Sequence, residues 1–368
     1  MSATLRRGGQ RLADPQARVA ALPEHAGAFA TRGHARARLA GMAEPVFRDE
    51  PLLDILAFVE RELASGDACA FFVLDPDLGR GRYAGEHVDH AGQRHVHRPL
   101  RVWLDLAERL GLRLCTPRPE AGLIRIGLER LTPRQATPRR RSAGARAPGS
   151  GEDTPDPTER YGRASEYARI AKLEEPGFVI DLAEALARTR LGARPRVLDL
   201  GVNTGDELAL IVRAYPDVEL VGIDHSASAL AVARARYSGF QLIEADVGQL
   251  AGLALGRFDL VISLATLQSP GIDDRELLRR IVQDHLAPTG AVILGLPNSR
   301  YVDGELVYGA RIPNFRQPEL GVLVKDAWFY RKYLQQHGRQ VFVTGKHYLL
   351  VTGVMPAGQS GPQGGGER

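Results

Sequence analysis

In the second half of the chain, apolar positions fall into short, nearly unbroken runs separated by stretches of helical period. The runs are "RVLDL" (196–200), "VELVGID" (218–224), "FQLIEAD" (240–246), "FDLVISL" (258–264) and "GAVILGL" (290–296). Between them, "GDELALIVRAY" (205–215), "SASALAVARARY" (226–237) and "RELLRRIVQDHL" (275–286) repeat apolar side chains three and four residues apart. Strands that are apolar throughout must be covered on both faces. Their alternation with helices therefore predicts a mostly parallel α/β sheet between helical layers. Further on, the pattern predicts a helix over 324–338 and an antiparallel pair, "RQVFVTG" and "HYLLVTG" (339–353), which brings the expected sheet to seven strands. A parallel sheet closed by a C-terminal hairpin is not the topology of the dinucleotide dehydrogenases.

The first half repeats part of this pattern. Residues 50–86 run parallel to 275–305: each gives Leu-Leu, an amphipathic helix, a turn, an apolar strand ending before Pro, then Arg-Tyr and Gly-Glu. A helix over 99–112 and a strand over 123–131 follow, so 46–131 reads as a partial α/β module resembling the second half of the later block, 159–355. Residues 132–158, "TPRQATPRRRSAGARAPGSGEDTPDPT", have almost no apolar side chain to bury and predict a disordered Arg/Pro/Gly-rich linker. Residues 1–45 are expected to be poorly ordered, and 356–368 to form a disordered tail.

Composition changes this picture little. Of 368 residues, 44% are hydrophobic and 25% charged, an ordinary globular balance, and no apolar run approaches a membrane span. The first residues lack the apolar region of a signal peptide, so the expected location is cytoplasmic. Cys69 and Cys115 lie in apolar, strand-like contexts and read as buried thiols. The net charge is +4, and only four of the 48 basic residues are Lys: Lys172, Lys325, Lys332 and Lys346. Basicity is thus almost entirely arginine, through coding bias or through a need to grip phosphate and carboxylate.

The candidate chemistry sits at strand ends. "VLDLGVNTGDE" (197–207) leads from an apolar strand through Gly201 and Gly205 into a helix, a loop that lets a ligand approach backbone and whose N–H groups favour a negative group. Asp224 closes the next strand 19 residues after Gly205, close to the roughly 20-residue spacing at which an acid meets ribose hydroxyls. The G-x-G-x-x-G fingerprint fails, because Asn203 and Asp206 stand where its later glycines belong. Asn203 is suited to a left-handed turn and to local hydrogen bonding. Asp199, beside the loop, suits an ammonium group, and Asp246, after the third strand, an adenine amino group.

In these motifs the block resembles the class I S-adenosylmethionine-dependent methyltransferases, with a Rossmann-like seven-stranded sheet. "VLDLGVNTGDE" is similar to their first motif, "VGIDHS" to the ribose motif, "EADV" to the adenine motif and "RFDLVISLATL" to the fourth strand. The resemblance implies S-adenosyl-L-methionine as cofactor, with Asp199 and the Gly201–Gly205 loop around its methionine portion. It places Asp224 on the ribose and Asp246 with Val247 on adenine. His225 within the ribose motif, Ser263 at the end of the fourth strand and the amide of Asn203 complete the candidate contacts. It also implies that the leading stretch 161–178 folds over the cofactor with Tyr161, Arg163 and Tyr167; the alternative is an amphipathic helix buried on the sheet.

The acceptor is less marked. The polar and aromatic stretch 296–320 is too long for an idle connection and reads as a substrate-binding insertion, with Asn298, Arg300, Tyr301, Glu305 and Tyr308 as candidates. Tyr330, His347 and Tyr348 could also line the site. Among these, Asn298, Tyr301, Glu305 and His347 are the candidate catalytic groups. No cysteine lies in this block, which argues against a covalent route to 5-methylcytosine. "GEHVDHAGQRHVHRP" (85–99) gathers His87, His90, His95 and His97, a metal site or a polar loop. No zinc spacing is matched, and no metal is expected. The expected activity is methyl transfer to an oxygen or nitrogen acceptor, of a small molecule or, through the basic N-terminal region, of RNA. A non-catalytic cofactor-binding regulator is the remaining alternative. The N-terminal module is expected to recognise substrate or to mediate self-association.

Overall fold

The computed structural model describes residues 44–131, 170–269, 271–302, 305–308 and 320–356. The first 43 residues, the 132–158 linker, Tyr161, Arg163, Tyr167 and the tail from 357 lie outside the described residues. The N-terminal elements run α1 (Leu52–Ser65), β1 (Ala68–Leu74), β2 (His87–His90), β3 (Gln93–Val96), α2 (Leu100–Leu110), β4 (Leu112–Leu114), β5 (Arg118–Glu120) and β6 (Leu123–Arg130). β6 pairs with β1, β4 and β5, each time antiparallel. β2 and β3 form a separate hairpin. Cys69 is buried in β1, whereas Cys115 is half-buried just beyond β4 rather than in a strand.

The second block continues with α3 (Pro176–Thr189), β7 (Arg196–Leu200), α4 (Asp206–Ala214), β8 (Glu219–Asp224), α5 (Ala227–Arg236), β9 (Gln241–Glu244) and β10 (Phe258–Leu264). It ends with α6 (Asp274–Arg280), β11 (Leu286–Pro297), the short pair β12 (Ser299–Val302) and β13 (Glu305–Tyr308), α7 (Leu320–Gln336), β14 (Gln340–Thr344) and β15 (Tyr348–Val354). Seven strands form one sheet in the order β14-β15-β11-β10-β7-β8-β9. β11, β10, β7, β8 and β9 are parallel, and β15 is antiparallel to both its neighbours. The helix-then-strand likeness between 50–86 and 275–305 is present as α1–β1 and α6–β11. Its pairing differs: β1 joins its sheet antiparallel, and β11 lies parallel to β10.

Alternation along β7 divides its side chains between two cores. Val197 joins the apolar layer that contains Phe178, Leu182, Leu208 and Ile211 of α3 and α4, while Leu198 and Leu200 join the opposite layer with Leu277, Tyr330 and Leu334. Asp199 shares the face of Val197 by the same alternation and is fully buried. Strand order reverses between β7 and β10, and ligands of open α/β sheets bind at the carboxyl edge of that crevice.

The N-terminal elements close against this frame rather than hanging from it. Leu52, Leu56 and Trp103 belong to the same continuous apolar cluster as Phe178, Val179 and Val197. Arg98 pairs with Glu174 at 2.7 Å in a buried contact, and the second oxygen of Glu174 accepts the N–H of Leu52 at 3.1 Å. Among the described residues no helix is long and apolar enough to cross a membrane.

Candidate functional site

The loop after β7 is built around its own backbone. Gly201 and Gly205 take φ values of 83° and 79°, and Asn203 takes 47°, all left-handed. A Cβ on Gly201 would collide with the Thr266 side chain, so the loop after β10 closes directly over the glycine. Each N–H of the loop already has an acceptor. Gly201 and Val202 donate to Ile223 O (2.8 and 3.1 Å), and Gly205 donates to Val202 O (2.8 Å). Asn203 N donates to Asp224 Oδ2 (2.8 Å), and Thr204 N to Asn203 Oδ1 (2.7 Å). This corrects the expectation that the loop's N–H groups receive a negative ligand: those of residues 201–205 are all spent internally.

The charge here is of the opposite kind. Asp199 is buried to 0% exposure, and neither of its carboxylate oxygens has a hydrogen-bond partner among the described residues. Glu207, in the first turn of α4, is equally buried. Its Oε2 accepts from Lys172 Nζ at 2.7 Å, and its Oε1 is unpartnered. Burial, then Glu207, push the Asp199 carboxyl well above the usual carboxylate range, with Lys172 opposing and Asp224 adding to the rise. Burial also raises Glu207, against the pull of Lys172. Burial disfavours the Lys172 ammonium, but Glu207 and its neighbours outweigh it and hold the amine charged. Glu207 and Asp224 thus both bear on the buried Asp199 carboxylate, with Lys172 the one opposing cation, and the site favours a further positive charge.

Asp224 ends β8, with Oδ1 accepting from Ser226 N at 2.9 Å and Oδ2 from Asn203 N. Each oxygen keeps lone-pair capacity for a hydroxyl. His225 beside it is 40% exposed at the side chain. Asp246 is exposed two residues past β9 and accepts the N–H of Gly248 at 2.7 Å; Val247 is buried in the core. Ser263 is buried, and its hydroxyl donates to Leu200 O at 3.2 Å, tying β10 to β7. The structure therefore brings Asp199, Gly201, Asn203, Gly205 and Asp224 together, with Asp246 and Val247 at the adjoining strand end and Ser263 beneath.

The candidate catalytic groups gather elsewhere on the same edge, at the carboxyl end of β11 and the start of β15. Asn298 Nδ2 donates to Lys346 O (2.8 Å), and Tyr301 donates its hydroxyl proton to Arg101 O (3.1 Å). His347 is fully buried, with Nε2 3.1 Å from Asp105 Oδ2 and Nδ1 3.4 Å from Ser299 Oγ. Asp105 also accepts from Lys346 Nζ (2.6 Å) and Gly177 N (3.1 Å). Burial works to raise Asp105, but His347 and Lys346 outweigh it and hold the carboxyl below its ordinary range. These side chains fasten the N-terminal elements to the sheet. Glu305 opens β13 opposite Val302. Tyr330 is buried, with its hydroxyl donating to Asp274 Oδ2 at 2.8 Å.

Among the described residues no group of three or more His, Cys, Asp or Glu is arranged to hold a metal. His95 faces Val88 across the β2–β3 hairpin, and His97 Nδ1 bonds Gly79 O at 2.8 Å. Lys172 and Glu207 are the site residues that sequence reasoning missed. The scarcity of lysine was the available signal, since Lys172 and Lys346 both sit in ion pairs with buried carboxylates.

Residues 197–290 match the family described as "Methyltransferase domain". Relatives include the trans-aconitate 2-methyltransferase of Methylobacterium nodulans, 34% identical over 139 residues that cover 35% of this chain and 52% of that protein. The enzyme of the same name from Paracidovorax citrulli is 33% identical over 117 residues, 32% of this chain and 44% of that one. The chain spans about half the length of the curated relatives it matches. A solved precorrin-6y C5,15-methyltransferase from Geobacter metallireducens GS-15 aligns at 15% identity over 48% of this chain and 87% of its own, with a TM-score of 0.35. The sheet order, the acid-lined corner beside the glycine loop and the family match over β7 to β11 lead to one assignment. Residues 197–290 carry a methyltransferase domain, within a seven-stranded sheet like that of the class I S-adenosylmethionine-dependent enzymes.

Proposed function

We propose that the protein transfers a methyl group from S-adenosylmethionine to a carboxylate oxygen of a small organic acid. The observation that carries the donor half is Asp199, a buried carboxylate without a hydrogen-bond partner among the described residues, next to a loop whose N–H groups are all engaged. That pairing rejects a phosphate and suits the ammonium of an amino-acid-bearing nucleoside. Asp199 would take the ammonium, Asp224 the ribose hydroxyls and the Asp246–Val247 strand end the adenine. Bound there, S-adenosylmethionine supplies an electrophilic methyl group.

The acceptor half draws on the relatives, which are named for methylation of trans-aconitate. A carboxylate acceptor has already lost its proton, so no general base is required. Two described candidates for such a base, Tyr301 and His347, are engaged in fastening the N-terminal elements. Arg300, half-buried near the carboxyl end of β11, acts electrostatically on Glu175 and Tyr348 and offers a cation on the acceptor side. The chain's contribution is then alignment and exclusion of water.

Calorimetry with S-adenosylmethionine tests the donor half. Asp224→Ala removes an acceptor of two ligand hydroxyls and should weaken binding by about 2 kcal/mol, or ~30-fold. Absence of binding to the parent protein, or an unchanged affinity in the variant, overturns it. Incubation with methyl-labelled cofactor and a panel of di- and tricarboxylic acids, trans-aconitate included, tests the acceptor half. Label entering RNA or protein but none of the acids would overturn it.

A further inference from the structure

The residues around Asp199 do more than present a negative charge. Asp199 on β7 and Glu207 on α4 are both fully buried; Lys172, from the segment before α3, pairs with Glu207 and acts on Asp199 through its charge alone. Three carboxylate oxygens of this pair, both of Asp199 and Oε1 of Glu207, have no hydrogen-bond partner among the described residues. Asp224 on β8 adds a third acid, its oxygens held by the N–H groups of Asn203 and Ser226. The other titratable groups facing the corner are Asp206 on α4, Tyr237 after α5, Tyr348 on β15 and the half-exposed His225 after β8. Ser263 and Thr266, approaching from β10, carry no charge.

We propose that this site takes up its cationic ligand in exchange for a proton held by the Asp199–Glu207 pair, and that Lys172 is the positioning residue that sets how many protons the pair holds. The inference rests on the donor-site reading above. Two like charges in a water-excluded space do not both ionise freely, and one lysine compensates one carboxylate. Glu207, bonded to Lys172, is the ionised member. Asp199, without a partner, retains the proton. When an ammonium arrives at Asp199, the proton leaves to solvent and the ligand's positive charge takes its place, so charge within the corner is conserved.

The directions of the individual shifts agree: burial and the neighbouring acid raise Asp199 most, and Lys172 lowers it. The unliganded pair titrates above the usual carboxylate range, and the liganded pair titrates lower. Binding therefore releases a proton, and affinity rises with pH, up to tenfold per unit, until the raised value is passed. Exchange also selects for cationic ligands, because a neutral ligand would leave the proton in place.

The test is calorimetric titration of the full chain with S-adenosylmethionine at pH 6.5, in two buffers of different ionisation enthalpy. The difference in observed heat counts protons released per ligand. The parent protein should release a measurable fraction of a proton per ligand, and affinity should rise with pH above the usual carboxylate range. Glu207→Gln keeps the shape but removes the like charge, so the count should fall toward zero. Lys172→Met leaves both acids uncompensated, so the count should rise above the parent's and the pH dependence should steepen. A merely structural role for Lys172 and Glu207 would lower affinity in both variants without moving the count in opposite directions. Binding with no proton released in the parent, or counts that do not diverge between the two variants, overturns the exchange while leaving the donor reading intact. No binding at all in the parent overturns the donor reading first.

Discussion

Gly201 is held by two independent constraints, a left-handed φ of 83° and the Thr266 side chain lying where a Cβ would project. The first costs an alanine about 1–2 kcal/mol, and the second adds a collision that must be relieved by moving β10's loop. Gly201→Ala should therefore destabilise the protein by more than about 2 kcal/mol in urea unfolding, and Thr266→Ala in the same chain should relieve part of the collision but not the backbone cost. Full recovery would show that φ is unimportant there; no recovery would show that Thr266 is. At this scale the sequence was informative wherever a residue's role follows from its place at a strand end. Asp199, Asp224 and the glycines were visible because apolar runs stop there and ligands of parallel sheets bind there. Lys172 and Glu207 were not visible. They are 35 residues apart, and only packing of the segment before α3 onto α4 makes them a pair.

Among the elements, α2 and β15 are fastened through Asp105, which holds His347, Lys346 and the N–H of Gly177 at once. Asp105→Asn removes the buried carboxylate that His347 and Lys346 share, leaving Lys346 only the more exposed Glu108, and should cost about 3 kcal/mol of stability. The sign with pH follows from the lowered carboxyl: its contribution is fully present above the ordinary Asp range and is lost as pH falls through the depressed value. The gap in urea midpoint between parent and variant should be widest near neutrality and should narrow in acid; a constant gap would mean that the charge is irrelevant. The central strands and the closing hairpin were legible because unbroken apolar runs have one stable environment. β9 stops at Glu244, short of the expected Asp246, because Asp246 turns to cap the following helical turn. The direction of pairing in the N-terminal sheet was not legible, since short strands carry no mark of parallel or antiparallel partners. The histidine-rich stretch hid a hairpin for a different reason. Ala91 and Gly92 both take positive φ, as a two-residue turn demands, but polar side chains on β2 and β3 erase the alternation that would announce it.

For the molecule as a whole, the boundary drawn from composition and the boundary drawn from packing are different things. The stretch 132–158 divides the sequence, yet Leu52, Leu56 and Trp103 share one apolar cluster with Phe178, Val179 and Leu182. Fully exposing side chains of this kind costs about 2 kcal/mol each, so a handful approaches the stability of an ordinary domain. Arg98–Glu174 and Asp105–His347 add contacts that are satisfied only when the two halves are together. Cohesion here resides in the junction rather than in covalent continuity. A gene opened at residue 150, giving two polypeptides that retain every residue, should yield fragments that find each other on co-expression and copurify as a one-to-one complex. Asp105→Asn in the first fragment should weaken their association. The connecting peptide would then be a tether that raises local concentration, and the N-terminal half, in effect, a subunit that happens to be translated in the same chain.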